Sequence, residues 1–334
     1  MLTSTDHPPR QIILDTDPGG DDIFALLWLQ SLMCQGHADL IAVTTTVGNV
    51  GGDRTFASAS QVLRLGNLPH IEVGRGVAPP DHEIADAAHI HGTDGMGNLS
   101  TTLAPPTHDY STARGSDDII IDHLQTHPGQ ITLIAIGPLT NLAAAETKVP
   151  GILKQAKEIV IMGGAFHCRG NVTSHAEFNI HFNPTAAAIV FNSGADIVVL
   201  PMDVSTQLVF TAEMAQMAVR SDPTSPLATF LTQLCAFMTN TSLGYRETDG
   251  VRGFLVHDAA TVAYLFYPET LMLRRAWVQV ETQGTWTQGQ TLIDRRHRPT
   301  LATNAWVALQ VEAIALFTSF VEDLNTLNQH LSRI

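Results

Sequence analysis

Short runs of Val, Ile and Leu alternate with helix-length segments along most of this chain, and that rhythm admits few folds. Residues 11–14 read as a buried strand, followed by a helix over 22–34. Residues 40–46 read as the next strand, with a helix over 52–65. Further strands are expected at 131–136, 158–162 and 197–200, and helices at 117–126, 139–146, 184–192 and 212–219. Strand and helix in strict succession predict an α/β fold with a mainly parallel, doubly wound (Rossmann-like) sheet covered on both faces.

Two stretches interrupt the rhythm. Residues 75–110 carry Pro, His and Gly with little periodicity, which predicts a long loop with functional content. Residues 224–256 read as one or two helices ending in a glycine-bearing loop at 248–253. The C-terminal third adds a small β-hairpin, 271–283 with 290–293, and a closing helix over about 304–324. No internal repeat, low-complexity tract or linker divides the chain, so one domain over 1–334 is expected.

Composition narrows the partners. A formal net charge of −14 argues against a nucleic-acid or anionic-membrane surface, because phosphate binding needs clustered Lys and Arg. Cys34, Cys168 and Cys235 are far apart and lack metal spacing, so neither a disulfide framework nor a zinc site is expected. The first ten residues are polar and proline-bearing, without the apolar core of a signal peptide. The longest apolar runs are too short to span a bilayer. Together these predict a cytoplasmic protein without membrane contact.

The densest chemical signal lies just after the first strand. Asp15, Asp17, Asp21 and Asp22 fall within eight residues, at the carboxyl end of an apolar run. Open α/β sheets bind ligands at that end. Four carboxylates in one turn repel unless a counter-charge joins them, and the usual remedy is a hard cation with oxygen ligands, Ca²⁺ or Mg²⁺. Gly19 and Gly20 let the backbone fold tightly enough for the acids to converge. A dinucleotide turn is disfavoured, because an acidic loop would repel pyrophosphate. An aspartyl-phosphate phosphatase using Asp15 and Mg²⁺ is a second reading. It would need Thr or Val two positions after Asp17, where Gly19 stands, and no Lys motif follows. The bland alternative is that Asp21 and Asp22 only serve the N-terminus of the following helix.

Asp15-Thr-Asp-Pro-Gly-Gly-Asp-Asp22 resembles the N-terminal signature of the inosine–uridine-preferring nucleoside hydrolases. Thr45-Thr-Val-Gly-Asn49, His91-Gly-Thr-Asp-Gly95, Gly137-Pro-Leu-Thr-Asn141, Met162-Gly-Gly164, Ala176-Glu-Phe-Asn179 and His257-Asp258 continue the resemblance in the family's order. It covers residues 12 to about 260, and the ordered set is far more specific than any one piece.

The resemblance implies hydrolysis of the N-glycosidic bond of purine or pyrimidine ribonucleosides, a place in nucleoside salvage or catabolism, and a homodimer or homotetramer. It implies that Asp17, Asp22 and Asp258 bind Ca²⁺ through side chains and Ile136 through its carbonyl. Many relatives carry Thr at position 136, a change that a backbone ligand tolerates. Two sugar hydroxyls and a water would complete about eight oxygens. Asp17 would also take the water's proton. Asp21, Asn171, Glu177 and Asn179 would hold the ribose, and Asn49 would help orient water and sugar. Breaking the bond builds positive charge on the ribose, which neighbouring carboxylates stabilise. A general base contributes on the order of 10²–10⁴ in rate. The departing base needs a donor, for which His257 is the first candidate. His91 would face the base, Met162 would be among the substrate contacts, and Tyr245 would stack on the base or shield it.

Each residue also has an ordinary reading. Fifteen histidines occur, so a single one is by default a loop or surface residue. Asp258 could cap the helix that follows it. Asn171 could belong to a plain turn. Glu177 and Asn179 alternate as on a strand edge. Met162 and Tyr245 could be core. Asp94 has no assignable role. A non-catalytic ribose- or nucleoside-binding protein would keep the pocket, yet retention of Asp17 argues against it.

Overall fold

The computed structural model describes residues 8–78, 85–294 and 302–334. The first seven residues and positions 79–84 of the long loop lie outside that set. Twelve strands are described: β1 Arg10–Thr16, β2 Ala38–Thr45, β3 Glu72–Gly74, β4 Thr132–Ala135, β5 Glu158–Met162, β6 Ile197–Leu200, β7 Val209–Phe210, β8 Phe254–Leu255, β9 Leu271–Ala276, β10 Val278–Val280, β11 Thr291–Ile293 and β12 Ala305–Val311. The described α-helices are α1 Gly20–Cys34, α2 Gly52–Leu65, α3 Ala88–His91, α4 Ser116–Thr126, α5 Thr140–Lys148, α6 Phe178–Phe182, α7 Pro184–Asn192, α8 Met202–Ser205, α9 Ala212–Ala218, α10 Pro226–Tyr245, α11 Ala259–Phe266 and α12 Ala313–Leu331.

Eight strands form the central sheet in the order β3-β2-β1-β4-β5-β6-β12-β9, parallel except for β9. Alternation along β1 divides the core into two layers. Ile12 and Leu14 pack into the layer that contains α1, α11 and α12, whereas Ile13 packs with α4, α5 and α7 on the other face. Both faces are thus covered, which is why the strand reads as a continuous apolar run. Helix α1 is buried from Gly20 to Leu32, so its first turn, with Asp21 and Asp22, is held inside the molecule.

Strands β1, β2, β4, β5 and β6 fall where the sequence rhythm places them, in a mainly parallel sheet, whereas the short β3 lies outside that rhythm. The C-terminal third differs. The segment expected to begin a helix at residue 304 is strand β12, and helix α12 starts only at Ala313. β12 is sandwiched between β6 and β9, and the ladder partners on both sides outweigh the helix preference of Ala, Leu and Gln. The hairpin also divides. β9 joins the central sheet as its edge, and only β10 pairs with β11. The three cysteines are free. Among the described residues no helix is long and apolar enough to cross a membrane.

Candidate active site

The strand order reverses between β1 and β4, a switch point at whose carboxyl ends open α/β sheets bind ligands. Asp17 leaves β1 there, Asn49 lies in the loop after β2, Ile136 follows β4 and Met162 ends β5. Asp258 arrives from the far end of the chain. The carboxylates of Asp21, Asp22 and Asp258 offer oxygens within 4.8 Å of one another, all buried. Asp258 stands at the N-terminal boundary of α11 yet makes no side-chain capping bond, so the ordinary helix-capping reading is not realised.

Asp17 and Asp22 are fixed by a dense set of donors. The Asn49 backbone N–H donates to Asp17 Oδ2 at 2.7 Å. Asn49 Nδ2 donates to the Asp17 carbonyl at 3.0 Å and to Asp22 Oδ2 at 3.1 Å. Thr16 Oγ1 donates to Asp22 Oδ1 at 2.6 Å, and Gly19 N–H donates to Asp22 Oδ2 at 3.0 Å. Asn49 is therefore a clamp that joins the two acids. Asp17 Oδ1 is buried without a hydrogen-bond partner among the described residues. Glycines leave it room: a Cβ on Gly48 would fall 2.0 Å from Asp17 Oδ2, and one on Gly137 would fall 2.4 Å from Oδ1. A Cβ on Gly19 would meet Asn49 Nδ2 and His91 Nδ1 at 2.6 Å.

Burial raises the pKa of all four acids, and their mutual repulsion adds to it at Asp17, Asp21 and Asp258. Among the described residues no Lys or Arg forms an ion pair with any of them. Converging hard oxygens, one bare and buried, with no basic partner, are a donor set that fits a divalent cation.

The sugar candidates line the β4–β5 side. Asn179 Nδ2 donates to the Ile136 carbonyl at 3.0 Å and to the Met162 carbonyl at 3.2 Å. The Ile136 carbonyl, expected to face a cation, thus already accepts one hydrogen bond. Glu177 and Asn179 are not on a strand edge. Glu177 caps α6, accepting from Gly164, Asn179 and Ile180 backbone N–H groups at 2.9, 2.7 and 3.2 Å. The bonds from Asn179 and Ile180 satisfy a buried helix start, which explains the departure from strand geometry, and the one from Gly164 ties that start to the end of β5. Asn171 is exposed and accepts from Phe178 N–H at 2.9 Å, which places it in the rim loop rather than among the buried acids.

Two imidazoles adjoin these groups. His91 Nδ1 accepts from Gly20 N–H at 2.9 Å, at the start of α1. Burial, with smaller contributions from His89 and His257, pushes the His91 pKa down to about 3. His257 Nδ1 lies 2.7 Å from Ser205 Oγ, and burial pushes its pKa down to about 4. Tyr245, at the end of α10, is 55% exposed and not core; its ring meets His89 edge-on at 5.2 Å. The two stretches that broke the sequence rhythm therefore touch at this rim.

Asp15 sits apart from this group. Its carboxylate is fully buried and accepts from Thr44 Oγ1 at 2.7 Å and Asn141 Nδ2 at 2.8 Å. A nucleophile cannot be sealed in this way, so the phosphatase reading loses its central residue. Asp94, unassigned from sequence, accepts from Met96, Asn98 and Ser100 N–H groups at 2.8, 2.8 and 2.9 Å and so shapes the loop after His91. Thr16, Gly48 and Gly137 stand inside family-like pieces but carry no expected role, and Ser205 stands outside them all. Thr16 carries a local signal, a hydroxyl between two acids; Ser205 carries none, since its partner is 52 residues away.

A family model described as inosine-uridine preferring nucleoside hydrolase matches residues 12–318. The chain is 33% identical over 309 residues to the probable uridine nucleosidase 1 of Oryza sativa subsp. japonica, covering 91% of each chain. It is 35% identical over 291 residues to the inosine-uridine preferring nucleoside hydrolase of Leishmania major, covering 86% of this chain and 89% of that relative. The solved structure of the purine-preferring ribonucleoside hydrolase from Gardnerella vaginalis superposes with a TM-score of 0.87 at 26% identity, covering 96% of this chain and 100% of that one. On this ground the chain belongs to the inosine–uridine preferring nucleoside hydrolase family, enzymes that hydrolyse the N-glycosidic bond of ribonucleosides.

Proposed function

We propose that the chain is a Ca²⁺-dependent ribonucleoside hydrolase that releases free base and ribose. The observation that carries this reading is the meeting of Asp258 with Asp21 and Asp22 beside Asp17, whose Oδ1 is buried and bare. Asp17, Asp22, Asp258 and the Ile136 carbonyl would hold the cation. When bound, Ca²⁺ would acidify water and anchor the two vicinal sugar hydroxyls.

The chain's own groups would do the rest. Asp17 Oδ2 is occupied by the Asn49 N–H, so Oδ1 is the oxygen left to accept a proton from water. That water's oxygen bonds to C1′ as the C1′–N bond breaks, and the bond's electron pair leaves with the base. Asp21, Glu177 and Asn179 would hold the ribose hydroxyls, with Asn171 joining from the rim. Positive charge developing on the sugar would be stabilised by the same carboxylates. His257 and His91 would meet the leaving base, and Tyr245 would cover it.

The decisive assay measures ribose released from inosine, adenosine, guanosine, uridine and cytidine, with and without chelator. We expect turnover on at least one nucleoside, lost on chelation and restored by Ca²⁺. Tight nucleoside binding with no ribose released in added Ca²⁺ would instead identify a binding protein.

A further inference from the structure

We propose that Ser205 is a positioning residue, which holds His257 in the tautomer that presents Nε2–H to the departing base. The inference rests on the hydrolase reading above for its chemistry, but on geometry alone for the tautomer. Ser205 is fully buried at the end of α8, the turn that follows β6. Its hydroxyl lies 2.7 Å from His257 Nδ1, its one hydrogen bond among the described residues. A buried hydroxyl hydrogen without an acceptor costs about 1–3 kcal/mol. Donation to Nδ1 avoids that cost, and the ring's own hydrogen then sits on Nε2.

The same segment also fixes the His257 backbone. Val256 N–H donates to the Leu208 carbonyl at 3.0 Å, and β7 pairs with β8 just before it. Residues 205–210 thus set both the position of the loop and the orientation of the ring. His91 reaches the same state by another route. Its Nδ1 accepts from a backbone N–H, which can only donate, so its hydrogen is also on Nε2. Neither Nε2 has a hydrogen-bond partner among the described residues. Two imidazoles far apart in sequence are therefore both held as Nε2–H donors.

As the C1′–N bond breaks, its electron pair passes to the base nitrogen. The Nε2–H hydrogen bond takes up that charge while the proton stays on the ring, and solvent protonates the released base. The opposite tautomer would aim a lone pair at the same nitrogen and repel it.

Ser205→Ala and Ser205→Thr test this in the full-length protein. Ser205→Ala should lower kcat on inosine or uridine by roughly tenfold to a hundredfold with little change in KM. It should lose far less on nitrophenyl riboside, whose leaving group needs no donor. Ser205→Thr, which keeps the hydroxyl, should restore the nucleoside rate. Nitrogen-15 NMR of the His257 ring should report Nε2–H in the wild type and a tautomer mixture in Ser205→Ala. Equal losses on both substrate types, or Nδ1–H in the wild type, overturn the proposal. A wild type inactive on every nucleoside defeats the hydrolase reading instead, and the NMR result still decides the tautomer.

Discussion

At the scale of single residues, Asp17 is governed by what its neighbours lack. Gly48 and Gly137 flank its carboxylate, and a Cβ on either would overlap an oxygen. Gly48→Ala should therefore displace Asp17 and cost about 10²-fold or more in kcat, comparable to losing a general base. Circular dichroism and thermal melts should show the fold retained. Asp17→Asn should abolish turnover with the fold equally intact, because the amide keeps the shape but cannot accept the water's proton. A folded Asp17→Asn enzyme with wild-type rates removes Asp17 from the chemistry.

Among elements, the C-terminal helix shows how the site's scaffold is locked. Asp323 of α12 is buried, and Trp28 Nε1 and Gln35 Nε2 donate to it from α1 and the residue that ends it, at 2.7 and 2.8 Å. Tyr267, just after α11, donates its hydroxyl to the same carboxylate. Asp323 thus gathers α1, α11 and α12, and the first two of these carry Asp21, Asp22 and, at its N-terminal boundary, Asp258. Asp323→Ala leaves the buried Trp28 indole N–H, and the less buried Tyr267 hydroxyl and Gln35 amide, without their acceptor, and should destabilise the fold by about 3 kcal/mol in urea unfolding. Cation affinity should weaken with it, since the acids ride on the loosened helices. An unchanged unfolding midpoint would show that packing alone holds these helices.

The whole molecule stores electrostatic strain at the buried acidic cluster. Burial and mutual repulsion raise the pKa values of Asp17, Asp21 and Asp258, burial raises that of Asp22, and burial pushes Asp15 up to about 7. The folded protein then holds protons that the unfolded chain releases above about pH 4. Stability conferred at low pH is lost as pH rises through the folded-state pKa values. In chelator, Tm should fall between pH 5 and pH 8. Added Ca²⁺ should raise Tm, more at pH 8 than at pH 5, by about 2.7 kcal/mol of stability at a hundred times its Kd. A melting temperature at pH 8 that ignores Ca²⁺ would argue against a cation among these acids. Asp15→Asn should flatten the pH slope in chelator, because that carboxylate accounts for part of it.

Periodicity and short-range spacing are properties of neighbours along the chain, so they were legible without a structure. The strand–helix rhythm determined a covered parallel sheet, and Asp15 to Asp22 stood at a strand's carboxyl end by local pattern alone. Family-like pieces marked Asn49, His91, Glu177, Asn179 and Asp258, but not how they meet. Only the tertiary structure decided that Asp258 joins Asp21 and Asp22, that Asp15 is sealed beneath Asn141, and that Ser205 faces His257. It likewise turned residues 305–311 into a strand, since the partners that stabilise it, β6 and β9, lie far away in sequence. Such pairings depend on which segments the closed sheet brings together, and no local run of residues encodes that.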